Sequence, residues 1–123
     1  MIRASKDTAS NRRQERKLID SVRAQCVDRD GTCRVGRNLT LGFLGPCGGH
    51  PEWAHIGDFR RFKTRRMDPT FRHQSAHSAM LCGAHHDLYD AHVFDIQELT
   101  DQGADGPLAF VKGELRFEET DPA

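Results

Sequence analysis

The sequence predicts one small α+β domain stapled by a structural metal, with a basic helix at its start and strands towards its end. Three observations predict it. At 123 residues the chain has the size of one ordinary domain with room for a modest core. Hydrophobic residues make up 37% and aromatics 7%, which is thin for that length. A thin core needs a staple, and an intracellular chain finds it in a metal more readily than in disulfides. The stretch "AMLCGAHHDLYDAH" (Ala79–His92) offers one, with a cysteine, three histidines and two aspartates.

The elements follow in order. Residues 1–9 read as a flexible N-terminus, and 10–123 as a single domain. From Ser10, "SNRRQERKLIDSVRAQCVDRDG" has a Ser/Asn start signal, good helix formers and Gly31 as a stop. Leu18, Ile19, Val22 and Cys26 share one helical stripe, while Arg12, Arg13, Arg16 and Lys17 cluster in its first half. Cys26 on the apolar stripe reads as a small core residue. "RDGTCRVGRNLTLGFLGPCGGHP" reads as a glycine-rich loop with a short strand at Leu39–Leu44. "EWAHI" reads as a strand started by Pro51, and "MDPTFRHQS" as a turn-rich connection because Asp68 precedes proline. A helix is expected over about Ser75–Ala91, bent near Gly83. "HVFDIQEL" and "PLAFVKGELRFEE" alternate as strands, the latter a hairpin about Lys112-Gly113.

Net charge is zero by cancellation. Residues 1–25 carry seven bases against three acids, and Phe59–Arg72 six against one. From Asp87 onward there are ten acids against two bases. This asymmetry suits a polyanion on one face, with the acidic face open to a protein partner. No run approaches the roughly 20 apolar residues of a membrane helix, and no secretory signal opens the chain. Membrane-spanning and disulfide-framework classes are thereby set aside. A cytoplasmic location is expected, where four cysteines beside seven histidines favour metal ligation.

Cys82 and His85 are separated by two residues, a spacing that chelates one ion from a single turn. Cys33 and Cys47, separated by thirteen residues, supply a second pair, so Cys33, Cys47, Cys82 and His85 are the expected zinc ligands. Cys47 and His50 repeat the Cys-x2-His spacing, which leaves His50 as a rival to Cys33. His86 points about 100° round the helix from His85. Asp90 lies four residues beyond it on the same face. An imidazole and a carboxylate so placed suit a second divalent ion with open water positions.

These residues resemble the HNH nuclease family, whose motif is a strand, a loop, a second strand and a helix round one catalytic metal. "AHI" (Ala54-His55-Ile56) matches the last two positions of its first element. His77, in "HSAMLC", stands at the middle Asn position, and "LCGAHH" (Leu81–His86) matches the closing element, with His85 where a zinc cysteine would stand. "RDGTC" (Arg29–Cys33) is similar to the approach to the first zinc cysteine. The resemblance covers about residues 27–92 and implies a ββα-metal core.

Three departures accompany it. Ala54 stands where many members place a metal ligand, so Asp90 or, in reserve, Glu52 must supply it. His77 replaces the Asn, and the loop between Cys33 and Cys47 is long. The implied activity is DNA phosphodiester hydrolysis, with His55 as general base, His77 orienting the catalytic loop and His86 holding an Mg or Mn ion. Arg60, Arg61, Lys63, Arg65 and Arg66 would track backbone phosphates. Phe59, Phe62 and Phe71 could stack on bases, but at these spacings they are expected in the core. The alternative is a non-catalytic zinc-stapled nucleic-acid-binding module.

Overall fold

The computed structural model describes residues 4–38, 42–60 and 69–120. Helix α1 (Ala4–Asp30) starts six residues before the expected Ser10 and stops where Gly31 turns to φ 74°. That left-handed residue ends the helix at little cost because glycine has no Cβ. Val22 and Cys26 of the apolar stripe are buried against Met80, with Leu18 and Trp53 at the margin. Cys26 is therefore the core residue its position suggested; its Sγ lies 3.4 Å from the Ser78 hydroxyl.

Strand β1 (Pro51–His55) pairs antiparallel with β2 (Ser78–Cys82), Glu52 opposite Leu81 and His55 opposite Ser78. The helix expected over Ser75–Ala91 is corrected here. Ser75–His77 forms a 3₁₀ turn, Ser78–Cys82 is strand, and only α3 (Gly83–Asp90) is helical. "SAMLC" suits a helix locally, but all five of its residues are buried. Besides β1, the backbone carbonyl of Met80 accepts from the Arg34 N–H, and the Met80 N–H donates to Asp30. Tertiary pairing decides the conformation of such a short apolar run.

The strand expected at Leu39–Leu44 is likewise corrected for its described part, since Gly42–Leu44 forms a 3₁₀ turn; residues 39–41 lie outside the described ones. In the connection before β2, Pro69–Arg72 forms a one-turn helix, α2. A second sheet has the order β3 (Asp95–Glu98), β4 (Leu108–Lys112), β5 (Leu115–Glu118), all antiparallel. The β4–β5 turn is Gly113-Glu114, with Gly113 at φ 61°, as a two-residue hairpin loop requires. One apolar cluster joins the two sheets: Val35, Leu44, Ile56, Leu81, Tyr89, Phe94, Ile96, Leu108 and Phe110 all belong to it. The described residues thus form a small mixed α+β domain with two sheets. Among the described residues, no helix is long and apolar enough to cross a membrane.

A buried ion network ties the end of α1 to the far end of the chain. Arg34, only 2% exposed, donates to Asp30, to both oxygens of Glu119 and to the carbonyls of Ala104 and Gly106. Glu119 also accepts from Arg37, Asn38 and the Leu108 N–H. Burial works to raise its carboxyl, but these donors, Arg34 foremost, win and hold it at about 2. Arg29 adds hydrogen bonds to Asp30 and to the carbonyls of Ser75 and Ser78, fastening α1 to the start of β2.

Candidate metal centre

The glycine-rich loop, the end of β2 and the first turn of α3 converge on one point. The ligand atoms of Cys33, Cys47, Cys82 and His85 all lie within 4.8 Å of one another. The His85 Nδ1 is 3.4 Å from the Cys33 Sγ, 3.7 Å from Cys47 and 3.1 Å from Cys82. A tetrahedral zinc with Zn–S near 2.3 Å and Zn–N near 2.0 Å sets an S···N edge of roughly 3.6 Å. The four donors match in chemistry and spacing, so the cluster can hold one structural metal such as zinc. It contains Cys33 and not His50, whose carbonyl instead accepts from the Gly83 N–H.

The surroundings prepare each donor. His85 is buried, and its Nε2 lies 2.9 Å from the Gly45 carbonyl and 3.2 Å from that of Leu44. A carbonyl only accepts, so Nε2 carries the proton and Nδ1 is left bare towards the sulfurs. Cys82 caps α3 by accepting from the His85 N–H, and Cys33 accepts from the Gly36 N–H. Burial raises the Cys33 thiol, against the Cys82 and Gly36 backbone N–H groups that lower it, and the Cys82 sulfur adds to the rise. Burial and the charge of Cys33 push Cys47 up to about 12. The residue is exposed as a whole, but its sulfur is turned into the cluster. At Cys82 burial is outweighed by the His85 and Gly48 N–H groups, which lower its thiol. Three sulfurs this close need a cation to ionise together.

Gly36 fits only because it lacks a side chain, since a Cβ there would stand 2.3 Å from the Cys47 Sγ. Gly49, at φ 80°, lets the loop pass close to Gly83 at the start of α3.

The remaining candidates divide between two faces of β1. Side chains alternate along a strand, so Glu52 and Ala54 share one face, Trp53 and His55 the other. On the first face, Ala54 is buried in the apolar core. Glu52 reaches α3, where its Oε1 lies 2.5 Å from the His86 Nδ1, while His86 Nε2 lies 3.5 Å from Asp90. His86 thus stands between the two carboxylates considered as its partners. On the other face, the His55 Nε2 is 3.0 Å from the His73 Nδ1, and the His73 Nε2 is 2.8 Å from Glu15 on α1. Trp53 tilts against both rings, with centroids 4.7 Å from His55 and 5.5 Å from His73. Burial, then Arg72, His73 and His77, lower His55 to about 4.

His77 stacks on Phe59 with ring centroids 3.7 Å apart. Among the described residues, no hydrogen bond or ion pair joins His55 to His86. Arg61, Lys63, Arg65 and Arg66, with Phe62, lie outside the described residues, and of Arg60 and Phe71 only the backbone is described. Sequence reasoning missed His73 and Glu15, because they reach His55 from 18 and 40 residues away. No family model, curated protein or solved structure matches the chain.

Proposed function

We propose that the protein is a metal-dependent endonuclease of HNH type that hydrolyses DNA phosphodiester bonds, with a structural zinc in its Cys3His cluster. The observation that carries this reading is the succession β1, β2, α3 at the cluster. An antiparallel strand pair runs directly into a helix, with His55 closing the first strand and His86 in the first turn of the helix. That is the strand–strand–helix order implied by the resemblance of "AHI" and "LCGAHH".

Each residue then has a role. The zinc pins the glycine-rich loop to the start of α3 and so fixes His86 against β1. His55, held near 4, is neutral at neutral pH and has a lone pair with which to take a proton from water. His77 orients the catalytic loop from the position the family gives to Asn. His86, with Glu52 and Asp90, would hold one divalent ion, and two carboxylates beside one imidazole suit Mg or Mn. Such an ion, when bound, polarises the scissile phosphate and stabilises the leaving oxygen. Arg60, Arg61, Lys63, Arg65 and Arg66 bind DNA through backbone phosphates.

A second reading has its own support. Ala54 brings no donor, and His55 and His86 engage partners on opposite faces of β1. Those observations favour a zinc-stapled nucleic-acid-binding module without catalysis. Nicking of supercoiled plasmid across Mg²⁺, Mn²⁺, Ni²⁺ and Zn²⁺, with EDTA as control, separates the two. The nuclease nicks in an EDTA-sensitive way. His55→Ala lowers its rate by roughly 10²- to 10⁴-fold with zinc content and DNA affinity kept. His86→Ala abolishes nicking, with partial rescue by excess metal. A protein that binds the plasmid and nicks it with none of the four ions refutes the nuclease reading and promotes the module.

A further inference from the structure

His73 is 3% exposed, yet both of its ring nitrogens have partners, Glu15 on one side and His55 on the other. Burying an imidazole is costly unless its nitrogens are hydrogen-bonded, and here both are. Hydrogen-bond chemistry fixes the order of protons along the row. An ionised Glu15 only accepts, so the His73 Nε2 donates. A neutral His73 then has a bare Nδ1, which accepts from the His55 Nε2–H. A neutral His55 is left with its lone pair on Nδ1.

We propose that Glu15 and His73 are positioning residues for His55, making helix α1 part of the active site. The pair holds His55 in the tautomer whose Nδ1 is free to accept a proton. The inference rests on the nuclease reading for its catalytic consequence. In the step itself a water O–H bond breaks and its proton forms a bond to the His55 Nδ1, while the hydroxide oxygen bonds to phosphorus as the P–O bond to the leaving sugar oxygen breaks; that oxygen takes its proton from solvent water. The charge that appears on His55 is shared through His73 towards the Glu15 carboxylate, in the manner of a base oriented by a third group. The other charged or titratable groups acting on His55 are Arg72 and His77. Both disfavour a positive ring, so the carboxylate at the far end of the row supplies the compensating sign.

The experiment pairs a spectroscopic readout with kinetics on the zinc-loaded full chain at pH 8, above the ordinary histidine range. Nitrogen-15 NMR of the imidazoles should find His55 protonated at Nε2 and bare at Nδ1. His73→Phe keeps the ring and removes both hydrogen bonds. It should release this tautomer preference and lower kcat for plasmid nicking by about 10- to 100-fold, with KM nearly unchanged. His73→Asn, whose side-chain oxygen can still accept from His55, should restore most of both. Zinc content and the unfolding midpoint of each variant serve as the check on folding. A wild-type His55 protonated at Nδ1, or a tautomer indifferent to His73→Phe, overturns the inference. If no ion supports nicking, the nuclease reading fails alone, and the NMR arm still decides whether His73 sets the His55 tautomer.

Discussion

An alanine at position 36 would carry its Cβ 2.3 Å from the Cys47 Sγ. Non-bonded heavy atoms rest at roughly 3.5–4.0 Å, so the sulfur must retreat by about 1.2 Å or more. The backbone adds no penalty, because Gly36 is not among the residues with positive φ. Cys47 is exposed, and a free thiol would swing aside at almost no cost. A ligated thiolate has no such freedom, since metal–ligand lengths hold to about 0.2 Å. Gly36→Ala should therefore leave metal-free stability within roughly 0.5 kcal/mol of wild type. Zinc affinity should fall by on the order of 100-fold, at the upper end of what disturbing a ligand's support costs. At saturating zinc that removes about 2.7 kcal/mol of stability. Competition with a zinc indicator reads the affinity, and urea unfolding with and without metal reads the stability, with Cys47→Ser as the comparator. Wild-type affinity in Gly36→Ala would refute the reasoning and reduce the cluster to Cys33, Cys82 and His85.

Two further outcomes follow from charge. Changing Arg60, Arg61, Arg65 and Arg66 together to alanine should weaken DNA binding on all sequences alike and flatten its salt dependence; altered sequence preference with an intact salt slope would count against phosphate contact. Glu119 is depressed from 4.5 to about 2, so its contribution is complete above pH 4.5 and is lost as pH falls towards 2. Urea unfolding should place Glu119→Gln about 3 kcal/mol below wild type at pH 6, with the gap closing through that acid window; a gap that persists at pH 2 would show that charge is not its source.

The metal cluster was legible because ligand chemistry restricts residue type and spacing together. Cys82 and His85 form a local pair, and the cysteines left over once Cys26 fell on an apolar stripe were Cys33 and Cys47. The choice of Cys33 over His50 was not fixed by spacing, because Cys47 and His50 repeat the Cys-x2-His spacing of Cys82 and His85. β2 was misread because "SAMLC" has no strand signature of its own; its strand state comes from β1 and from the Arg34 backbone. Glu15, His73, Arg34 and Glu119 were illegible as partners. Each is an ordinary polar residue until folding brings its counterpart from tens of positions away. Glu52 stood one step nearer, since alternation along β1 already placed it on the face of Ala54.

The Arg34–Glu119 pair closes across 85 positions, and this has a bearing on how the chain is made. While the polypeptide is being synthesised from its N-terminal end, the Arg34 guanidinium exists long before Glu119, the second of its two carboxylate partners. Until residue 119 clears the ribosome, burying that arginine would strand its charge against Asp30 alone. The polar network is therefore complete only once residue 119 is present. The zinc loop and β1–β2 pair can assemble on the growing chain, whereas closure of the Arg34 network onto the second sheet waits for the residue that follows β5.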